Sequence, residues 1–109
     1  MAIHYVIEKL SAATRALALG PGDMRSRLVT AHLCMHTLRD SDFPNELRKD
    51  WRWISEQLSR RGPIVRDDGT VRVGSVENTM QHIQNRTAVK IAERLFELYR
   101  AITEATPRE

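Results

Sequence analysis

The sequence predicts a mainly α-helical fold, a small bundle of about four helices with one short β-hairpin. From Ser75 to Glu104, thirty residues run without Gly or Pro, and apolar residues recur every three or four positions, as on one face of a helix. Gly-Pro pairs divide the earlier chain into segments of helical length with the same spacing. Only residues 64–73 change period, because β-branched residues there flank a glycine-containing turn.

Length and composition indicate one globular unit. A chain of 109 residues with 41% hydrophobic and 28% charged residues can bury a modest core. We predict a single helical domain over residues 1–104 and a frayed tail over 105–109. The net charge of +3 is spread along the chain without a basic block, whereas a dedicated nucleic-acid binder usually concentrates its charge.

Cysteine usage and the amino-terminal pattern favour the cytoplasm. Cys34 is the only cysteine, so an intrachain disulfide is excluded. Glu8, Lys9 and Arg15 interrupt the first apolar segment, unlike the continuous apolar stretch of a signal peptide. No stretch approaches the roughly 20 apolar residues of a membrane span. We therefore expect a cytoplasmic protein with no membrane partner.

The first two helices are bounded by clear stop and start signals. Gly20-Pro21-Gly22 ends a first helix over residues 3–19, since this run cannot continue a helix. Asp23 is a suitable N-cap for a second helix that extends to Leu38. Their predicted buried faces are Ile3, Val6, Ile7, Leu10, Ala13 and Leu17 in the first helix, and Met24, Leu28, Ala31, Met35 and Leu38 in the second.

A third helix follows a turn over residues 39–42. Asp42 or Phe43 is its predicted cap, and Pro44 then lies in its first turn, where a missing N–H is tolerated. Gly62-Pro63 ends this helix. Its predicted buried face is Leu47, Trp51, Ile54 and Leu58.

The last part of the chain combines the hairpin with the long helix. Asp67-Asp68-Gly69 between two β-branched runs is a hairpin signal, and Ser75 is the predicted cap of the helix that follows. This helix would be about 45 Å long at about 1.5 Å per residue. Its weakest stretch is residues 85–87, where a bend or break is left open.

The carboxyl-terminal half of the long helix carries apolar residues beyond its main stripe. A helix that is apolar on more than one side is either central to a bundle or pairs with another chain. We also place Trp53 outside the buried face of the third helix, where it packs within the chain or contacts a partner. The predicted partner interface is Trp53, Val89, Ala92, Phe96 and Tyr99.

The second helix carries a row of basic and imidazole side chains beside its apolar stripe. On a helical wheel Arg25, His32, His36 and Arg39 fall within about 60° of one another. This ridge could receive phosphate or a partner's carboxylates; alternatively, the arginine stems cover the edge of the core. Cys34 projects about 200° away from His32, so it cannot complete a metal site with the histidines. No metal is expected.

Catalytic signatures are not recognisable from residue spacing. Asp67 and Asp68 are adjacent acids, but in a hairpin turn such residues are turn formers first. The sequence shows no nucleophile elbow and no glycine-rich phosphate loop. We expect a protein that is not an enzyme and that carries no cofactor.

Two functional hypotheses follow. The first is a small helical protein-protein interaction module, acting as an adaptor, inhibitor or regulatory subunit, with a homodimer as the favoured assembly. Its partner is another protein or a second copy of the chain, held through the interface residues named above.

The alternative is a winged-helix-like DNA-binding regulator, because three helices followed by a hairpin reproduce that order of elements. The third helix would contribute Arg48, Lys49, Arg52, Arg60 and Arg61, and the wing would contribute Arg66 and Arg72. Against this hypothesis, Asp42, Glu46, Asp50 and Glu56 lie on or beside the same helix and would repel phosphate.

Overall fold

Helices and one hairpin account for most of the structure, a computed structural model that describes residues 2–105. Five α-helices and two strands are formed within that range. They are α1 (Ala2–Leu19), α2 (Met24–Met35), α3 (Asn45–Leu58), β1 (Ile64–Val65), β2 (Val71–Val73), α4 (Ser75–His82) and α5 (Asn85–Ala105). The predicted fold class is confirmed. Of the predicted frayed tail, Ala105 is the last residue of α5, and residues 106–109 lie outside the described part of the chain.

Helix α5 is the centre of the core, since it packs against α1, α2 and α3. Its buried stripe repeats every three or four residues, so one apolar face of the helix lies between these neighbours. The buried residues of this stripe are Ala88, Ile91, Ala92, Leu95, Leu98 and Ile102. Helices α1 and α2 form the other large contact of the bundle.

The joint between α1 and α2 follows the predicted signals. Gly22 has a φ of 83°, a conformation that a side chain would strain. Asp23 is the N-cap of α2, and its Oδ1 accepts the Ser26 N–H at 3.2 Å. The guanidinium of Arg27 donates to the carbonyl oxygens of Leu17 at 3.1 Å and Gly22 at 3.0 Å. A cation thus satisfies carbonyls at the end of α1, where the helix dipole is negative.

Helix α2 is shorter than its pattern predicts. It ends at Met35, and the turn expected over residues 39–42 contains a single 3₁₀ turn at Asp40–Asp42. The backbone of Arg39 is extended, with φ −124° and ψ 160°. Leu38 is nevertheless buried. The apolar periodicity therefore continued beyond the helix because this segment packs on the core without being helical.

The start of α3 corrects the cap prediction. Pro44 is the N-cap residue and the helix begins at Asn45, so neither Asp42 nor Phe43 caps it. The Asp42 carboxylate instead accepts the Arg39 N–H at 2.9 Å. Phe43 is buried and stacks on Trp51 with 4.9 Å between ring centroids. Both residues therefore contribute to the structure before α3 begins, and neither contributes a cap to it.

The hairpin forms at the predicted position. Ile64 pairs with Val73 and Val65 with Val71, with an irregularity between the two pairs. The Asp68 carboxylate accepts both the N–H of Thr70 at 2.9 Å and its hydroxyl at 2.7 Å, which lowers the Asp68 pKa below its ordinary value. The adjacent acids are thus turn formers, as their position suggested.

The long helix is broken, one residue before the stretch identified as its weakest. Helix α4 ends at His82, Ile83 is extended with φ −99° and ψ 161°, and α5 begins at Asn85. The structure also shows that Ser75 is the first helical residue and not the cap, because the N-cap position is Gly74.

The break is held by the amino terminus of α2. The Asn85 Oδ1 accepts the Met24 N–H at 2.9 Å, and the Arg25 guanidinium donates to the Ile83 carbonyl at 3.2 Å. Each contact satisfies a backbone group that a helix end leaves free. Because these contacts join residues about 60 positions apart, no local pattern reveals them.

Removing the Asn85 side-chain contact should destabilise the protein. Asn85→Ala leaves the Met24 N–H without its acceptor, and we expect the free energy of unfolding to fall by about 1 kcal/mol, the usual cost of losing such a cap. Urea unfolding followed by circular dichroism measures this loss. Gln84→Ala is the matched control, since the Gln84 side chain is exposed and forms no hydrogen bond within residues 2–105. Equal stability of the two variants would contradict the role of this contact.

Candidate protein-interaction site

An apolar groove runs between α1 and α5, with a volume of about 550 Å³. Its base includes Leu17 and Ala92, which are nearly fully buried, and its α5 wall ends in Phe96, which is 51% exposed. Val89 and Met24 also line the groove and are half-buried. Three of the five predicted interface residues are thereby brought together on one surface.

The rim of the groove is polar and carries one charge of each sign. Arg15 on α1 and Glu93 on α5 both line it and are exposed. Among the residues that the structure describes, neither forms an ion pair. Ser11 and Thr14 complete the α1 side of the rim.

Sequence reasoning missed the α1 side of this groove. Ser11, Arg15 and Ala18 are spaced by four and three residues, which places them on one face of α1. The same spacing on α5 relates Val89, Glu93 and Phe96. The signal was therefore present, but the small and polar residues of α1 gave no reason to single it out.

Tyr99 and Trp53 stand apart from the groove lining. Tyr99 is half-buried and packs against the core. Trp53 lies on α3, where the guanidinium of Arg94 covers its ring at 4.5 Å from the centroid. Since Arg94 and Phe96 are about 200° apart around α5, Trp53 and the groove occupy different sides of that helix.

The Trp53 contact is part of a small network. Arg94 also donates to the Asp50 carboxylate at 3.1 Å, with both side chains about half exposed. Arg94 therefore joins α5 to α3 by a cation–π contact and an ion pair. Lys49, the side chain considered for stacking on Trp53, lies in the surrounding depression, but Arg94 makes the contact.

The ridge expected along α2 is divided by the tertiary structure. Arg25 is engaged by the Asp23 carboxylate at 2.8 Å and by Ile83, and this pairing with Arg25 lowers the Asp23 pKa below its ordinary value. His32 and His36 stay neighbours, with ring centroids 6.4 Å apart. Arg39 lies beyond the end of α2 and no longer shares its face.

The two histidines line a small cavity of about 180 Å³ between α2 and α3. The Nδ1 atom of His36 donates to the Leu33 carbonyl at 3.0 Å. Burial lowers the pKa of His32 because it disfavours the charged imidazolium. The nearby His36 lowers this pKa further, and Glu77 partly opposes the shift.

Several arginines of the proposed DNA surface are used within the chain. Arg48 donates to the Phe43 carbonyl at 2.9 Å, and Arg52 forms an ion pair with Asp40 at 2.6 Å. Arg66 donates to its own hairpin, to Thr70 and to the Val71 carbonyl. Arg72 is exposed on the hairpin.

Residues 2–105 contain no cluster of three or more His, Cys, Asp or Glu side chains suited to hold a metal ion. In the same range, no helix combines the length and apolar character needed to cross a bilayer.

Comparison with protein-family models, with curated proteins and with solved structures finds no match to this chain.

Loss of the arginine over Trp53 should be visible in fluorescence. Arg94→Ala uncovers the indole ring, so we expect a red-shifted tryptophan emission and a free energy of unfolding lower by about 1 kcal/mol. Lys90→Ala, one turn earlier on α5 and exposed, is the matched control. An unchanged emission spectrum in Arg94→Ala would contradict the cation–π contact.

The lowered pKa of His32 predicts a specific pH dependence. As the pH falls, His32 in the unfolded chain takes up a proton near the ordinary value of 6.5, whereas His32 in the folded chain does so only at a lower pH. The free energy of unfolding is therefore expected to decrease as the pH falls from about 6.5 toward the pKa of the folded state. His32→Gln should remove this part of the loss, measured as the change in unfolding free energy between about pH 7.5 and about pH 5. The control His4→Gln replaces an exposed histidine. Its free energy of unfolding should decrease over this pH range by as much as that of the wild type. A pH-dependent decrease in His32→Gln equal to that of the wild type would contradict the lowered pKa of His32.

Proposed function

We propose that this chain is a non-enzymatic helical interaction module that pairs with a second copy of itself through the α1–α5 groove. The observation that carries the proposal is the groove itself, because an apolar base lies beside a half-exposed Phe96. As an adaptor or regulatory subunit in the cytoplasm, the protein would act by presenting this paired form to its target.

Burial of Phe96 supplies a driving force for association. A fully buried Phe side chain contributes about 1.5 to 3 kcal/mol relative to water. Half of the Phe96 surface is still exposed, so covering it would contribute about 1 kcal/mol in each copy. Further apolar area comes from Val89 and Met24, which are both partly accessible in the groove.

The charges on the rim favour a second copy over an unrelated partner. In a two-fold symmetric interface, each contact between one residue and another occurs twice. Arg15 of one copy can then face Glu93 of the other, and Glu93 of the first can face Arg15 of the second. The groove thus carries both halves of a self-complementary charge pair around an apolar centre.

The intrachain contacts of the arginines do not favour the winged-helix alternative. Arg48, Arg52 and Arg66 donate to acceptors within the chain, whereas phosphate contacts require free donors. DNA binding is therefore treated as a competing outcome. It would weaken steeply with rising salt, unlike apolar self-association.

Association should depend on Phe96 and not on apolar exposure in general. The wild-type chain should scatter light as a species of twice 12.5 kDa at both low and high salt. Phe96→Asp should give a monomer with an unchanged helical circular dichroism spectrum, because it places a charge in the apolar contact. Leu33→Asp, on α2 and 65% exposed, should still dimerise. A monomeric wild type, or salt-sensitive retention of a DNA duplex, would contradict the proposal.

Charge reversal tests the two-fold arrangement. Arg15→Glu and Glu93→Arg each place like charges opposite one another across the interface, so each should weaken the dimer about tenfold at low salt. The chain carrying both substitutions restores opposite charges and should dimerise as the wild type does. Failure of the double variant to recover would show that these two residues do not meet.

A further inference from the structure

A second cavity, of about 420 Å³, lies where the end of α3 meets the junction of α4 and α5. Ile91 and Thr79 form its buried base. Around this base stand polar and cationic side chains from all three helical segments: Gln57, Arg60, Arg61, His82 and Thr87. No carboxylate lines the cavity among the residues described.

The wall that carries the arginines is fixed to α4 by hydrogen bonds. The Arg61 N–H donates to the Thr79 hydroxyl at 3.1 Å, and that hydroxyl donates to the Ser75 carbonyl at 2.8 Å. The buried Asn78 amide donates to the Gly62 carbonyl at 3.0 Å. The backbone at the end of α3 is therefore held in place before any ligand binds, which reduces the entropic cost of binding.

The donors around the cavity are available. Within residues 2–105 the side chains of Gln57, Arg60, Arg61 and Thr87 have no hydrogen-bond or ion-pair partner. The Nδ1 atom of His82 donates to the Asn78 carbonyl at 2.7 Å, so this donor is engaged within the chain and is not counted among those available. This contrasts with Arg48 and Arg52, whose guanidinium groups are already engaged.

The break in the long helix creates this site. Thr87 lies one turn before Ile91 on the same face of α5, but it is exposed because it lies in the first turn, beside the break. The N–H groups of Thr87 and Ala88 are bonded to the Gln84 carbonyl at 3.0 and 3.2 Å. These two N–H groups are therefore not free donors, and the amino terminus of α5 contributes only the positive end of its dipole beside the cationic side chains.

We propose that this cavity binds the phosphate group of a small organic phosphate monoester. Two guanidinium groups, a hydroxyl and an amide can supply several hydrogen bonds to a dianion with three terminal oxygens. The volume lies within the range of about 300 to 1,000 Å³ that is typical of small-molecule pockets. The ester group would then contact Ile83 and Ile91, which also line the cavity.

The site is independent of the self-association groove. Thr87 and Ile91 lie on the α3 side of α5, whereas Val89 and Phe96 lie about 140 to 180° away on the α1 side. Binding of the anion can therefore be tested in the wild-type chain in either assembly state.

The test is a nuclear magnetic resonance titration of the ¹⁵N-labelled full chain with phenyl phosphate, with inorganic phosphate and with benzoate, at constant ionic strength. We expect saturable shifts of the Arg61, Thr87 and Ala88 amide signals with the two phosphates. Benzoate, which has the same ring but a singly charged carboxylate, should bind about tenfold more weakly.

Variants separate a built site from general positive charge. Arg60→Gln with Arg61→Gln should weaken phenyl phosphate binding at least about tenfold, since it removes two charged hydrogen-bond donors. Thr87→Val should weaken it without changing the net charge. Arg66→Gln with Arg72→Gln removes the same charge from the hairpin and should leave binding unchanged.

Three results would overturn the proposal: equal binding of benzoate and phenyl phosphate, equal loss of binding in the hairpin control, and shifts that do not saturate. A fourth arm uses a DNA duplex of about 16 base pairs. Saturable binding of the duplex that depends on Arg60 and Arg61, without binding of phenyl phosphate, would assign the surface to nucleic acid and also overturn it.

Discussion

The contact between the α4–α5 break and the amino terminus of α2 constrains most of this structure. Asn85 accepts a hydrogen bond from the Met24 N–H, and Arg25 donates to the Ile83 carbonyl. Two helix ends thereby satisfy one another with groups that each would otherwise expose to water. The break is fixed there, and α5, which begins directly after it, contacts α1, α2 and α3.

The position of α5 explains why its two flanks differ in chemistry. On the α1 side, small and apolar residues leave a groove beside Phe96. On the α3 side, Arg94 closes the surface over Trp53, and nearer the break a polar cavity opens at Thr87. The groove suits an apolar partner surface, whereas the cavity suits an anion. One helix therefore separates the two surfaces on which the functional proposals rest.

The arginines fall into two groups, according to whether the guanidinium is bonded to acceptors within the chain. Arg27 and Arg48 satisfy backbone carbonyls at helix ends, so their charge serves the fold. Arg60 and Arg61 make no side-chain contact of this kind in the described range. Net charge alone does not distinguish the groups. A guanidinium becomes available to a ligand only where the chain offers no carbonyl or carboxylate within reach.

The sequence by itself determined the helical class, the hairpin and the Asp23 cap, because each depends on local spacing or on a local hydrogen bond. It also indicated Val89 and Phe96, since apolar residues outside the main stripe of a helix are visible from periodicity, whereas Ala92 proved to belong to the buried stripe. Only the tertiary structure decided where the long helix breaks and which arginines stay free. Both depend on contacts between residues far apart in the chain, such as Asn85 with Met24, and local spacing carries no information about which distant groups will meet.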